Sequence, residues 1–141
     1  MLTEWHRAIE LHKRVKGKVT VYPSSRLRTT DDLACAYFPG SLAVANIINE
    51  DRDISFEYTG RGNCIFVVSN GSSILNFEEP NPYAVLPILE GKCLIYKAFG
   101  DINAFPICLE AKSAREITQI CRFITPTVGG LNLSNISSVT S

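Results

Sequence analysis

The second half of the chain alternates two kinds of apolar segment, one typical of strands and the other of helices. Residues 64–68 form a continuous β-branched and aromatic run, which predicts a central strand covered on both faces. Residues 104–109 form a second such run, and Pro106 favours an edge position because proline cannot donate to a neighbouring strand. Helices are predicted at 83–97 and behind the capping box that starts at Ser113. This alternation indicates a partly parallel sheet.

The first half of the chain is predicted to be mainly helical. Apolar side chains recur at helical spacing in residues 3–15, which predicts one buried stripe. The members of that stripe are Trp5, Ala8, Ile9, His12 and Val15. Further helices are predicted at 41–49 and 51–58, and Thr29 or Thr30 is expected to cap a short helix that begins at 31.

Three short strands complete the predicted set of elements. They are expected around residues 19–21, at 73–75 as the hairpin partner of the central strand after the Asn70-Gly71 turn, and in the loop and strand at 129–133. The fold class is therefore predicted as α/β. A helical N-terminal portion is followed by a mostly parallel sheet that is flanked by helices.

Composition narrows the function classes without selecting one. The 141 residues contain 14 Lys+Arg and 14 Asp+Glu, so the net charge is zero and no basic excess favours nucleic acid. A hydrophobic content of 45% argues against a disordered chain. We expect one domain over residues 1–141 and no nucleotide-binding domain, since the G-x-G-x-x-G fingerprint is absent and the chain is short.

The five cysteines and the N-terminus predict a cytoplasmic location. No two cysteines form a C-x-x-C pair and their number is odd, so we expect buried free thiols rather than disulfides or a zinc site. The first residues mix charged and apolar side chains, and no apolar core of signal-peptide length follows them. No run is long enough to predict a transmembrane span, so no membrane partner is expected.

Lys92 is the residue that helical periodicity singles out for chemistry. Ile88, Ile95 and Tyr96 share its face of the predicted helix. Burial of an ammonium on an apolar face favours its neutral form, which can act as a general base. The alternative is a structural lysine whose stem covers the apolar face while its amine reaches water.

Three further side chains are weaker candidates. Tyr37 lies just before the break at Pro39-Gly40, where its hydroxyl can donate a proton in a cleft or simply pack in the core. Arg61 and Asn63 precede the central strand and can bind a substrate carboxylate, although exposure to solvent in a loop is the simpler interpretation.

Ordered segments of the chain resemble malic enzymes. The matching segments are C-A-Y-F-P-G at 35–40, Y-T-G-R-G-N at 58–63, V-V-S-N-G at 67–71, L-P-I-L-E-G-K at 86–92, D-I-N-A-F-P-I-C-L at 101–109 and P-T-V-G-G-L-N-L at 126–133. The corresponding family patterns are S-x-A-Y-T-P-G, Y-T-x-[KR]-G-N, V-V-T-D-G, L-P-V-M-E-G-K, G-x-D-A-F-P-I-C-L and P-T-F-G-G-I-N-L. Each segment is weak alone, but their order and coverage resemble the N-terminal, substrate-side domain of the short prokaryotic malic enzymes.

The resemblance implies a reaction and two catalytic roles. Malic enzymes oxidise malate with NAD or NADP and decarboxylate the resulting oxaloacetate to pyruvate, using Mg or Mn. The family's tyrosine general acid falls on Tyr37 and its lysine general base falls on Lys92. Such a base takes the C2 hydroxyl proton as hydride leaves, and the acid protonates the enolate after CO2 departs.

The chain departs from the family pattern at the expected metal ligands. The family continues with N-L-E-D-I-S, whereas Ser134 and Asn135 stand here in place of the Glu-Asp pair. Hard divalent cations rely on carboxylates, so we expect no metal site in this chain and none of the family's cofactors bound by this chain alone.

Three functions therefore remain open at the level of sequence. The chain is the substrate-side domain of a malic enzyme whose cofactor domain is a separate chain or was left out, a binding or regulatory module without catalysis, or a dimerisation partner for an intact malic enzyme. The expected partners are a second copy in a homodimer or a separate nucleotide-binding chain, with a small dicarboxylate as the ligand. The isolated chain is expected to be inactive in each case.

Overall fold

A computed structural model describes residues 2–138 and contains a helical first half followed by alternating strands and helices. The α-helices are α1 (Leu2–Val15), α2 (Thr30–Ala36), α3 (Gly40–Glu50), α4 (Ser55–Tyr58), α5 (Leu86–Gly100) and α6 (Ala114–Ile124). Short 3-10 turns occur at Arg52–Ile54, Gly60–Asn63 and Thr125–Thr127. No helix within residues 2–138 has the length and apolarity that crossing a bilayer requires.

Three parallel strands form the sheet, which confirms the predicted α/β class. They are β1 (Cys64–Ser69), β2 (Asn103–Cys108) and β3 (Gly130–Leu133), in the order β2-β1-β3. The β-branched run is the central strand and the Pro106 strand is an edge, as the sequence predicted.

The two crossover helices cover opposite faces of the central strand. Val67 of β1 is fully buried and packs with Leu89 of α5, while its neighbour Val68 packs with Ile117 of α6. Successive strand residues point to opposite faces, so each helix buries its own apolar cluster. This arrangement explains why β1 is apolar at nearly every position.

The strands predicted at 19–21 and 73–75, in addition to the three parallel ones, do not form. Residues 19–21 are extended without strand pairing, and Val19 instead packs its side chain against the α5 cluster. Residues 73–75 form no hairpin, because both edges of β1 are already paired with β2 and β3. Residues 51–58, predicted as one helix, form a 3-10 turn followed by α4.

Capping boxes fix the starts of two helices. Thr29 caps α2 with Asp32, and Ser113 caps α6 with Glu116, as the sequence predicted for Ser113. Main-chain N–H groups, from Arg28 foremost, hold the pKa of Asp32 below its usual value. The corresponding N–H groups that bind Glu116 lower its pKa in the same way.

The apolar stripe of α1 is correctly predicted as helical but is not buried in this chain. Trp5 is 67% exposed and Ile9 is 52% exposed. None of the described side chains of α1, α2 or α3 belongs to the buried class. The helical N-terminal portion therefore presents apolar surface that no other described element covers.

Lys18 joins the segment after α1 to helix α5. Its main-chain N–H donates to Glu90 Oε2 at 3.0 Å, and its amine donates to the Pro87 carbonyl at 2.7 Å. The same amine lies 2.8 Å from His12 Nε2. These contacts hold the N-terminal segment against the first turns of α5.

Candidate functional site

The polar residues of interest lie beyond the carboxyl ends of the parallel strands. The chain leaves β1 towards β2 on one side, whereas β3 flanks β1 on the other, so this edge is a topological switch point. Ligands of open parallel sheets bind at such points. Ser69 ends β1, and Ser134 follows β3 with its N–H bonded to the Val68 carbonyl at 2.9 Å.

A buried asparagine organises the turn after β1. Asn70 is 1% exposed and its Nδ2 donates to the Ala111 carbonyl at 3.1 Å. Its Oδ1 accepts from the N–H of Ser72 at 3.1 Å and from the hydroxyl of Ser72 at 2.7 Å. Since both ends of this amide are satisfied, the turn is held in one conformation.

Asn70-Gly71 is recognisable from the sequence as a turn and as part of a segment that resembles the family's, but neither residue was predicted as a candidate for the site. The signal that identifies them is the position of a polar, turn-forming pair directly after a central parallel strand. Gly71 has φ +68°, and its N–H donates to Ser69 Oγ at 3.0 Å. The pair therefore fixes the course of the backbone at the carboxyl end of β1.

Lys92 extends from the middle of α5 to this edge. Its Nζ donates a hydrogen bond to Ser134 Oγ. That hydroxyl donates to Asn135 Oδ1 at 2.9 Å, and Asn135 Nδ2 donates to the Ser73 carbonyl at 3.0 Å. A continuous hydrogen-bond chain thus joins α5, the end of β3 and the loop after β1.

The surroundings of Lys92 are more polar than helical spacing predicted. Of the three residues expected to make an apolar face around it, Ile88 and Ile95 are 38% and 57% exposed, whereas Tyr96 is half-buried and packs against the cluster with Leu89. The buried face of α5 carries Leu89 and Cys93 instead, because these residues meet β1. Lys92 is half-buried beside a hydroxyl rather than enclosed by apolar side chains.

Tyr37 lies at the end of α2 with its side chain exposed. Its N–H donates to the Leu33 carbonyl at 3.0 Å, and its own carbonyl accepts from Ser41 N–H at 2.9 Å. The residue is 71% exposed, and no hydrogen bond links its side chain to Lys92 within the described part of the chain. Its role as the acid stays a prediction.

Arg61 and Asn63 lie at the opposite end of β1 from Lys92. β1 has six residues, which separates its ends by roughly 16 Å at about 3.3 Å per residue. Arg61 donates to Ser55 Oγ at 2.8 Å and stacks on Phe56 at 4.1 Å, while Asn63 donates to the Asp101 carbonyl at 2.8 Å. Their substrate-binding roles stay predictions, and these contacts tie both to the structure.

The cysteines are free thiols, as predicted, but the prediction that all of them are buried is wrong. Cys93 and Cys121 are buried, whereas Cys35 is exposed. Burial, with a smaller effect from the Glu90 charge, raises the pKa of Cys93 to about 11. Burial also raises the pKa of Cys108. These two thiols stay protonated at neutral pH, which makes them poor nucleophiles.

One acidic side chain lies near the carboxyl edge, on the β2 side. Glu110 follows β2 and accepts a hydrogen bond from the Tyr83 hydroxyl at 2.7 Å. That hydrogen bond and the Glu110 charge raise the pKa of Tyr83. Within residues 2–138, no group of three or more His, Cys, Asp or Glu side chains is arranged to hold a metal ion.

Comparison with known proteins identifies the domain to which these elements belong. Residues 16–122 match the family model of the malic enzyme N-terminal domain. An NAD-dependent malic enzyme of Geobacillus stearothermophilus is 39% identical over 88% of this chain. A bifunctional malic/malolactic enzyme of Bacillus subtilis is 35% identical over 93% of it. The chain spans 26% and 32% of the lengths of these two relatives.

Solved structures agree with the sequence comparison. An NAD-dependent malic enzyme of Thermotoga maritima is 38% identical with a TM-score of 0.89, over 94% of this chain and 38% of that one. A malic enzyme of Pyrococcus horikoshii is 35% identical with a TM-score of 0.88, over 99% of this chain and 33% of that one. The chain therefore belongs to the malic enzyme family, in which it corresponds to the N-terminal domain.

Proposed function

We propose that this chain supplies the substrate side of a malate-binding site of the malic-enzyme kind. The observation that carries the proposal is the position of Lys92, whose amine reaches the carboxyl edge of the sheet and bonds to Ser134 there. This edge is where open parallel sheets bind their ligands. The relatives named as NAD- and NADP-dependent malic enzymes support a dicarboxylate as the ligand class.

The proposed chemistry divides between two side chains. Lys92, once its ammonium has lost a proton, acts as the base that accepts the C2 hydroxyl proton of malate, and Tyr37 acts as the acid that protonates the enolate carbon after CO2 leaves. A bound nicotinamide cofactor supplies the acceptor for the C2 hydride. The exposure of Tyr37 leaves it free to meet a ligand or a partner surface.

The isolated 141-residue chain is expected not to turn malate over. A site that holds malate on one side still needs the cofactor beside C2, and hydride transfer depends on that positioning. We expect no NADH or NADPH formation, followed by absorbance at 340 nm, when the chain is mixed with L-malate, Mn and either cofactor. A rate above that of a Lys92→Ala control would contradict the expectation.

We also propose that the N-terminal helices pair with a second copy of this chain. The supporting observation is that none of the described side chains of α1, α2 or α3 is buried, although α1 carries an apolar stripe. Stripes of this kind are stable in water only when another surface covers them. Identical stripes on two copies can cover one another around a twofold axis.

Sedimentation equilibrium tests this pairing. We expect a mass twice the 15.6 kDa of the chain, and a shift to the monomer when Trp5 and Ile9 are both replaced by glutamate. Leu75, which is 85% exposed in a loop, provides the control, since Leu75→Glu should leave the dimer intact. A monomeric wild-type chain at high concentration would contradict the proposal, and association only with a nucleotide-binding chain would replace it.

We further propose a cytoplasmic location. The five cysteines are all free, and burial keeps Cys93 and Cys108 protonated. Free thiols in this number are typical of a reducing compartment.

A further inference from the structure

Ser134 and Asn135, which lie beside Lys92, are neutral, whereas a site for a divalent cation needs negatively charged ligands. The family pattern places a Glu-Asp pair where this chain has Ser134 and Asn135. Mg and Mn prefer carboxylate oxygens, and a hydroxyl or an amide oxygen carries no formal charge. Two anionic groups have therefore been replaced by two neutral ones.

The oxygens of this pair are also already engaged. Ser134 Oγ accepts from the Lys92 amine and donates to Asn135 Oδ1 at 2.9 Å. A divalent cation on Ser134 Oγ would lie next to the Lys92 ammonium, and like charges this close repel one another. The amide of Asn135 is further fixed by its bond to the Ser73 carbonyl at 3.0 Å. These residues do not fit Mg or Mn.

The same arrangement suits an anion. An ammonium has three N–H donors, and Ser134 takes one of them from Lys92. Lys92 is half-buried, and its bond to the hydroxyl of Ser134 fixes the direction of its amine. Hydrogen bonds from an ammonium to a carboxylate are among the stronger ones in proteins.

We propose that Lys92 binds a small carboxylate directly, without a divalent cation between protein and ligand. The ligand class is a 2-hydroxy or 2-oxo acid with one or two carboxylates. The inference rests on the proposed function, because it places the ligand at the same edge of the sheet. On this proposal, binding of the ligand to this chain does not depend on Mg or Mn.

Electron paramagnetic resonance of Mn²⁺ tests the metal part of the proposal. The free Mn²⁺ signal should be undiminished by the wild-type chain and should fall when Ser134→Glu and Asn135→Asp restore the carboxylate pair. Asn135→Asp alone is the milder variant, because aspartate tolerates the φ of +52° at this position. Wild-type Mn²⁺ binding that Ser134→Ala removes would overturn the proposal, as would folded variants that gain no Mn²⁺ binding.

A titration of the wild-type chain with L-malate, followed by NMR shifts, tests the ligand part. The dissociation constant should be the same within a factor of two in EDTA and in excess Mg²⁺. Binding that improves tenfold or more with Mg²⁺ would overturn this inference while it leaves the proposed function in place. An absence of shifts in both buffers would contradict the proposed function as well.

Discussion

Replacement of Gly71 by alanine is expected to lower the free energy of unfolding by about 2 to 5 kcal/mol. A Cβ at this position would lie 2.3 Å from the Asn81 carbonyl oxygen and 2.6 Å from its carbon, and both atoms belong to the backbone. The φ of +68° adds the cost of a left-handed conformation, roughly 1 to 2 kcal/mol. Forced shifts in a packed region add about 1 to 3 kcal/mol. Urea denaturation followed by circular dichroism measures the change.

Gly60 provides the matched control for this prediction. A Cβ there meets no atom within 4 Å, and the residue begins an exposed 3-10 turn. Gly60→Ala should therefore change the free energy of unfolding by no more than about 0.5 kcal/mol. Equal denaturation midpoints for the two variants would show that the turn after β1 is not held as tightly as its contacts with Asn81 indicate.

The sheet was predictable because the local sequence of its strands indicates both that they are strands and where they lie in the sheet. The run at 64–68 is apolar at every position, and only a strand covered on both faces needs that pattern. Pro106 placed its strand at the edge, since a central strand must donate from both sides. Local chemistry decides features of this kind, so no knowledge of distant residues was required.

The predicted hairpin at 73–75 failed for a reason that local sequence does not contain. The Asn70-Gly71 turn permits a hairpin, but β2 and β3 occupy both sides of β1. These strands begin about 40 and 65 residues after the start of β1. Competition for a strand edge is settled by the whole topology rather than by the turn.

The site was predictable in part. Spacing on α5 singled out Lys92, but its hydrogen-bond partner Ser134 is 42 residues away and belongs to the end of another strand. The apolar environment that spacing predicted was wrong for Ile88 and Ile95, which are exposed, because the face of α5 that meets the sheet is the one with Leu89 and Cys93. Which face is buried depends on the register between helix and sheet, and periodicity alone does not define it.

The apolar stripe on α1 shows that helical spacing does not predict which surface buries a helix. Its spacing predicted burial, and the helix formed, yet Trp5 and Ile9 remain exposed in the single chain. Amphipathic spacing indicates that a helix needs a covering surface without indicating which molecule provides it. The proposed pairing of two copies accounts for the stripe without any change to the predicted helix.

Replacement of Lys92 by methionine is expected to weaken L-malate binding roughly 10- to 100-fold, which is the loss of one charge-assisted hydrogen bond. Methionine keeps an unbranched side chain of similar reach while it removes the amine. Lys97 provides the control on the same helix. It is exposed, is bonded to Asp101 at 2.5 Å, and donates to Asn103 at the start of β2, which is the amino end of the sheet, so Lys97→Met should leave malate binding unchanged.

The central claim is that the carboxyl edge of the sheet binds a small dicarboxylate through Lys92. Its most direct test is an L-malate titration of the wild-type, Lys92→Met and Lys97→Met chains, followed by amide shifts in the NMR spectrum. The account predicts saturable shifts at Lys92, Ser134 and the turn at Asn70 in the wild-type and Lys97→Met chains, and their loss in Lys92→Met. Equal affinity in all three chains, or shifts confined to the Arg61 end of β1, would contradict it.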